Sequence, residues 1–383
     1  MPANPPSFAL TGAILFTGEA FVENQALLVQ GDTILDLCPA SKIPDGFEPV
    51  AVDHGILTAG YIDCQVNGGG NVLLNNDPTA EGVLKIAAAH RKTGTTSLLP
   101  TCITDGPDKI KAAIEAVAAA RQADPSVLGI HVEGPHINEA YQGTHNAAFV
   151  RPMTDEDLAL YHPVKDSVFL LTLAPEKVSP AQIKQLVAQG VIVSMGHTNA
   201  TAEQVYAALG AGARAVTHLF NRMPPITSRT PSLTGIALDC VDCWAGLIAD
   251  DVHVAQELVR LAVRAKQGDK LFMVSDSLSP AGADDPQPFD WNGIKVFPNE
   301  KVCVNEQGVI AGAILTLGQC VPVAIRDIRL DPAQVLRMAS TIPAAFLGKG
   351  DSLGKLLPGY KADIVALDHG FNAKRVWKNG VEQ

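Results

Sequence analysis

Between residues 60 and 275 the chain alternates two textures: short apolar runs rich in β-branched residues, and longer Ala-rich stretches of helical composition. The apolar runs fall at 60–66, 95–101, 128–132, 168–173, 191–196, 215–219, 244–249 and 271–275. Helical stretches at 79–93, 109–123, 180–189, 202–211 and 255–266 lie between many of them. Runs that are apolar throughout, rather than at every second residue, are typical of parallel strands buried on both faces. Parallel strands also need a crossover connection, and a helix is the usual one. Eight such units over about 250 residues predict a (β/α)8 barrel of the TIM type. A doubly wound open sheet is the rival fold. It expects a Gly-rich turn that runs straight into a helix after its first strand. Gly68-Gly69-Gly70 follows the first run, but no helix opens directly from it.

The two ends have a different character. Residues 8–58 read as short strands and turns, with Gly31-Asp32 as one turn, and the stretch from Gly359 to the end reads the same way. The domain expectation is therefore a small β-sandwich built from 1–58 and 359–383, and a barrel over 59–358. Residues 284–312 break the barrel rhythm with Pro, Gly and Asn, and read as a hairpin-rich insertion after the eighth strand.

Charge and cysteines narrow the function classes. The formal charge is −11 and no dense Lys/Arg tract is present, which argues against a nucleic-acid or anionic-membrane partner. A single Arg can still bind a phosphate in an acidic protein. No apolar run approaches the length of about 18 residues that spans a bilayer. Met-Pro-Ala-Asn-Pro-Pro at the start lacks the basic and apolar segments of a secretory leader. The 7 cysteines are scattered, and the single C-x-x-C of Cys240 and Cys243 has no second pair to complete a zinc site. That usage points to a reducing compartment, the cytoplasm.

The chemistry-bearing residues cluster at the C-terminal ends of the predicted strands. Glu133 closes the third run, His197 the fifth; His218 lies in the sixth, His253 just past the seventh, and Asp276 ends the eighth. Taken singly, each has an ordinary reading as a hydrogen-bonded core histidine or a helix cap. Barrel enzymes, however, assemble their sites on that one rim, and random placement would send some of the five to the other face. Two imidazoles and a carboxylate suit a divalent metal with a position left open for water. Such an ion acidifies water and polarises a carbonyl, while a nearby Asp relays the proton to a leaving amine. That chemistry is amide hydrolysis.

Longer motifs carry a resemblance. They are Gly60-Tyr61-Ile62-Asp63, Leu99-Pro100-Thr101, His131-Val132-Glu133-Gly134-Pro135, Gly143-Thr144-His145, Ala174-Pro175-Glu176, Gly196-His197-Thr198-Asn199-Ala200, His218-Leu219-Phe220-Asn221, Ala249-Asp250-Asp251-Val252-His253 and Ser275-Asp276. In these residues, and in order from the N-terminal β segment to the last strand, the chain resembles the N-acetylglucosamine-6-phosphate deacetylases of the amidohydrolase superfamily. The resemblance implies that Glu133, His197 and His218 hold one divalent metal per subunit, Zn2+ first, with Fe2+, Co2+ and Mn2+ accepting the same ligands. It implies Asp276 as catalytic acid and base, and His145 as a substrate contact that stabilises the oxyanion. Thr144 and Ala311-Gly312-Ala313 would contact substrate, Asn221 and Arg222 would do so through their backbone, and His253 would meet the sugar phosphate. Arg229 would bind that phosphate across a homodimer interface.

Three departures stand out against the family pattern. Gln65-Val66-Asn67 replaces the His-x-His that supplies a second metal in many superfamily members. Asn221-Arg222-Met223 replaces Asn-Ala-Met, and Ala311-Gly312-Ala313 replaces Ser-Gly-Ser. The competing readings are deacetylation of the galacto epimer, a cyclic amidase such as dihydroorotase, and an inactive scaffold of the same fold. The cyclic amidases usually keep His-x-His and often a carboxylated Lys, and no Lys lies in the strand-end motifs here. Inactive scaffolds typically lose the ligand set that this chain retains.

Overall fold

The computed structural model describes residues 7–52 and 55–383. Residues 1–6, whose composition lacks the features of a secretory leader, lie outside the described residues. By packing, the chain divides into two compact units. One comprises Met1–Asp63, His90–Ser97 and Thr316–Gln383; the other comprises Cys64–Ala89 and Leu98–Leu315.

The alternating pattern forms an eight-stranded parallel sheet in sequential order. Its strands are β1 (Tyr61–Val66), β2 (Thr95–Ile103), β3 (Gly129–Glu133), β4 (Val168–Leu173), β5 (Ile192–Met195), β6 (Ala215–Val216), β7 (Trp244–Leu247) and β8 (Leu271–Met273). Every residue of β1 to β4 is buried, as strands covered on both faces require. The sheet curls back on itself: Asp276 N donates to Gln65 O at 3.0 Å, and Val66 bridges Ser277 in parallel. It is the expected barrel, nearly closed. Helices follow the predicted stretches at Ala80–Arg91, Pro107–Ala123, Pro180–Ala188, Ala202–Gly210 and Gln256–Ala265. Local chemistry starts them: Ser179 with Gln182 and Thr201 with Gln204 form capping boxes, and Pro180 stands in the first turn.

β5, β6 and β8 stop earlier than their apolar runs suggested. The cause is visible in the backbone, because His197, His218 and Asp276 have φ of 49°, 32° and 50°. A left-handed residue cannot continue an extended strand, so each of these side chains leaves the sheet at its upper edge.

The terminal segments make two further sheets. One holds Thr33–Pro39, Gln25–Gln30, Ser7–Thr11 and Glu48–Ala51; the other pairs Ile364–Leu367 from the C-terminal end with Ile56–Ala59 from the N-terminal end. Leu15, Leu27, Ile34, Leu57, Leu356 and Ile364 are each 0% exposed in the core of this β unit. Fully burying each such side chain is worth about 1.5–3 kcal/mol.

Residues Phe289–Ala313 form a four-stranded antiparallel meander. Trp291, Val296 and Cys303 from it join Ile103 and Leu278 in one apolar cluster, which fixes the insertion beside the ends of the barrel strands.

Candidate active site

Each reactive group sits where a barrel strand gives out. Glu133 is the last residue of β3, and His197, His218 and Asp276 lie just beyond β5, β6 and β8. The three groups Glu133, His197 and His218 are buried and offer ligand atoms that all lie within 4.8 Å of one another. His218 Nε2 is 2.9 Å and His197 Nε2 3.2 Å from the same oxygen, Glu133 Oε1, and the two ring nitrogens are 3.0 Å apart. His197 Nδ1 is 2.8 Å from the Tyr141 carbonyl. A carbonyl can only accept, so Nδ1 carries the proton and the Nε2 lone pair faces Glu133.

The charge state of the cluster is set by burial working against its shared carboxylate. Burial opposes ionisation of Glu133, yet the close approach of the His197 and His218 rings holds its carboxyl well below the ordinary range. Burial prevails at His197 and lowers its pKa; at His218 it is outweighed by Glu133 and Asp276, and the pKa rises. Two nitrogen donors and a carboxylate around one point fit a small divalent metal with an open position.

Gln65 and Asn67 bring amide N–H groups up to the carboxylates. Gln65 Nε2 donates to Glu133 Oε1 at 3.1 Å and to Asp276 Oδ1 at 3.0 Å. Asn67 Nδ2 donates to the same Asp276 oxygen at 2.7 Å. Burial, followed by the charge of Glu133, pushes the Asp276 carboxyl up to about 6.

His145 stands beside the cluster, with its ring centroid 4.4 Å from that of His197. Its Nδ1 is 2.8 Å from Thr104 Oγ1, and its Nε2 is 3.9 Å from Glu133 Oε2. Burial, then the neighbouring His197, keeps the ring neutral by lowering its pKa well below the usual value. Thr104 reaches this position because residue 134 is glycine with φ of 83°, where a Cβ would come 2.1 Å from Thr104 Oγ1.

A cavity of about 400 Å3 opens above these groups. Thr144, His145, Asn221, Arg222, His253, Ala311 and Gly312 line it together with the metal cluster and Asp276. Ala313 lies outside the lining: it is buried, and its carbonyl accepts from Leu278 N at 3.0 Å. Arg229 also lies outside it, on an exposed loop between Met223 and Ser232. Asp250 Oδ2 is 2.6 Å from His253 Nδ1. Burial resists a charge on His253, but that carboxylate overrides it and raises the pKa.

Several residues that sequence reasoning gave no role belong to the site. Trp291, from the inserted meander, forms part of the apolar wall. Glu176, quoted above only as part of a motif, accepts from Thr198 Oγ1, from Asn199 N at 2.7 Å and from Asn138 Nδ2 at 2.9 Å. Asn138 in turn accepts from Tyr141 N at 3.0 Å and donates its own N–H to His197 O at 2.8 Å. One carboxylate thus ties the loop carrying His197 to the loop whose carbonyl orients that ring. The signals for Glu176 were its place in the Ala174-Pro175-Glu176 motif and its position just past the fourth apolar run.

Comparison with known proteins gives a consistent result. The Amidohydrolase family pattern matches residues 56–382, and that of the NagA composite domain matches residues 7–57. The chain is 40% identical over 327 residues to an N-acetylgalactosamine-6-phosphate deacetylase of Shewanella sp. (strain ANA-3), covering 85% of this chain and 82% of that protein. It is 31% identical over 376 residues to an N-acetylglucosamine-6-phosphate deacetylase of Haemophilus influenzae, covering 97% and 98%. The crystal structure of N-acetylglucosamine-6-phosphate deacetylase from Pasteurella multocida superposes with a TM-score of 0.93 at 31% identity, covering 98% and 99% of the two chains.

Proposed function

The chain belongs to the amidohydrolase family, and from that premise we propose that it hydrolyses the acetamide of N-acetylglucosamine 6-phosphate to glucosamine 6-phosphate and acetate. The observation that carries this reading is the convergence of Glu133, His197 and His218 beside the separately held carboxylate of Asp276. Glu133, His197 and His218 would hold the divalent ion, for which Zn2+ suits two imidazoles and a carboxylate. When bound, that ion supplies Lewis acidity, making water more acidic and the acetamide carbonyl more electrophilic.

The remaining work falls to side chains. Both amide donors, from Gln65 and Asn67, point at Asp276 Oδ1, so Oδ2 is the oxygen left to take a proton. A carboxyl pushed up to about 6 can accept the proton of the attacking water and give it to the amine nitrogen as the C–N bond breaks. With its Nδ1 accepting the Thr104 hydroxyl, a neutral His145 would carry its proton on Nε2, where it can donate to the developing oxyanion. Thr144, the backbone of Asn221 and Arg222, and Ala311 with Gly312 would position the sugar. His253 and Arg229 would meet its phosphate, Arg229 from the partner subunit of a homodimer. The 7 free cysteines support a reducing, cytoplasmic setting.

Acetate release from N-acetylglucosamine 6-phosphate, with metal content determined on the same preparation, tests the proposal. Turnover with about one ion per chain is expected; a metal-loaded protein that releases no acetate would refute it. The galacto epimer is the second reading, favoured by the similarity to the Shewanella enzyme, and belongs in the same assay.

A further inference from the structure

The guanidinium of Arg222 lines the cavity and makes no hydrogen bond or ion pair among the described residues. Neither carboxylate at the reaction centre pairs with it: Glu133 and Asp276 are taken by His197, His218, Gln65 and Asn67. The Arg222 side chain is exposed, but its backbone is held in place. Its backbone lies in the left-handed region at φ of 53°, which a long side chain adopts only where the surroundings impose it. The backbone around it is anchored, because Asn221 N donates to His218 O at 2.9 Å and Thr198 N to Arg222 O at 3.3 Å.

The side chain then runs across Gly143. A Cβ on residue 143 would come 2.7 Å from Arg222 Nε and 3.0 Å from Cζ. Gly143 has φ of 63°, so this position both needs glycine for its backbone and leaves the notch in which the guanidinium lies. Two loops, one leading to Thr144 and His145 and one following His218, together present a cation to the cavity wall. His145 feels that charge, which helps keep its ring neutral.

A permanently charged planar donor without a partner, in a concave site, is suited to an oxyanion with several acceptor oxygens. We infer that the Arg222 side chain binds the phosphate of the sugar substrate within the same subunit that holds the metal ligands. The inference rests on the proposed function for the identity of the anion. It goes further in assigning phosphate recognition to a side chain at a position where the family pattern supplies none. Phosphate recognition in cis then rests on Arg222 as well as His253, and loss of Arg229 from the partner leaves a residual preference.

The readout is the ratio of kcat/KM for N-acetylglucosamine 6-phosphate to that for N-acetylglucosamine, repeated with the galacto pair. Hydrogen bonds to charged groups support a drop of about tenfold or more in this ratio for Arg222→Ala, carried mainly by KM. Arg222→Lys keeps the charge but not the planar fork, and falls between. Metal content and melting temperature serve as folding controls. A metal-loaded Arg222→Ala protein whose ratio stays within twofold of wild type overturns the inference. If the alanine variant fails to fold, inhibition by inorganic phosphate decides it: Ki rises in Arg222→Lys, and an unchanged Ki overturns the inference. A wild-type protein that releases no acetate sinks the proposed function instead, and calorimetry of inorganic phosphate on wild type and Arg222→Lys then tests Arg222 alone. Weaker binding by the variant supports the assignment, and equal binding overturns it.

Discussion

Removing the Glu176 carboxylate should loosen the metal site without touching a ligand. Glu176→Ala deletes the acceptor of three hydrogen bonds, from Thr198 Oγ1, Asn199 N and Asn138 Nδ2. Hydrogen bonds to a charged group are worth roughly 1.5–3 kcal/mol each when buried. Glu176 is half-buried, so the direct loss of stability belongs near the low end of that range. The effect on the metal has a separate origin. His197 is held at its backbone by Asn138 N and at its ring by the Tyr141 carbonyl, and both partners sit on the loop that Glu176 anchors. Groups that orient a ligand in this way typically change metal affinity by about 10–100-fold when removed, or roughly 1.4–2.7 kcal/mol. Competition for Zn2+ against a fluorescent chelator measures this directly. Melting with and without metal separates the two effects, because a purely structural role lowers both curves equally and leaves the metal's stabilisation intact. Glu176→Gln retains one carbonyl acceptor and should fall between wild type and Glu176→Ala. A Zn2+ affinity within twofold of wild type in Glu176→Ala would show that the loop is held by other means.

Four further outcomes follow from the same geometry. Asp276→Asn preserves shape, keeps its metal and loses about 10²–10⁴-fold in kcat, the usual range for general acid–base catalysis; near-normal turnover would require another base. Elemental analysis should find one tightly held ion per chain, since Gln65 and Asn67 place amide N–H groups against Glu133 and Asp276; two ions, both needed for activity, would contradict this. Arg229→Ala should raise KM for phosphorylated substrate, and mixed dimers with a His197→Ala chain should recover activity; an active monomer by sedimentation at assay concentration rules this out. The last concerns acid stability. Burial works to raise the Asp157 pKa, but the Arg151 and Thr154 hydrogen bonds outweigh it and lower it from 3.8 to about 2. The stability this contributes is present above the unfolded value of 3.8 and is lost as pH falls toward about 2. Urea unfolding between those pH values should therefore show a flatter acid loss in Asp157→Asn, and an unaltered slope would show that other carboxylates dominate.

The barrel was legible in the chain because its signals are local. Apolar runs too short for helices, separated by Ala-rich stretches with Ser or Thr caps, specify each strand and helix within a few residues of itself. The rim positions of Glu133, His197, His218 and Asp276 follow from the same reading, since a strand's end is a local property. What brings those four together is the curling of the sheet, which carries β1 back to the segment after β8 through Gln65 O and Asp276 N. The strand ends themselves were misplaced by residues whose left-handed backbone is imposed by the site, a constraint that composition does not register. Glu176 and Trp291 were passed over for a related reason. Each acts on the site through partners distant in sequence, Asn138 and Thr198 in one case, Ile103 and Leu278 in the other. The chain marks Arg222 as a departure and Gly143 as the first residue of a motif. Their shared role exists only in the folded protein, where the missing Cβ of one makes room for the guanidinium of the other.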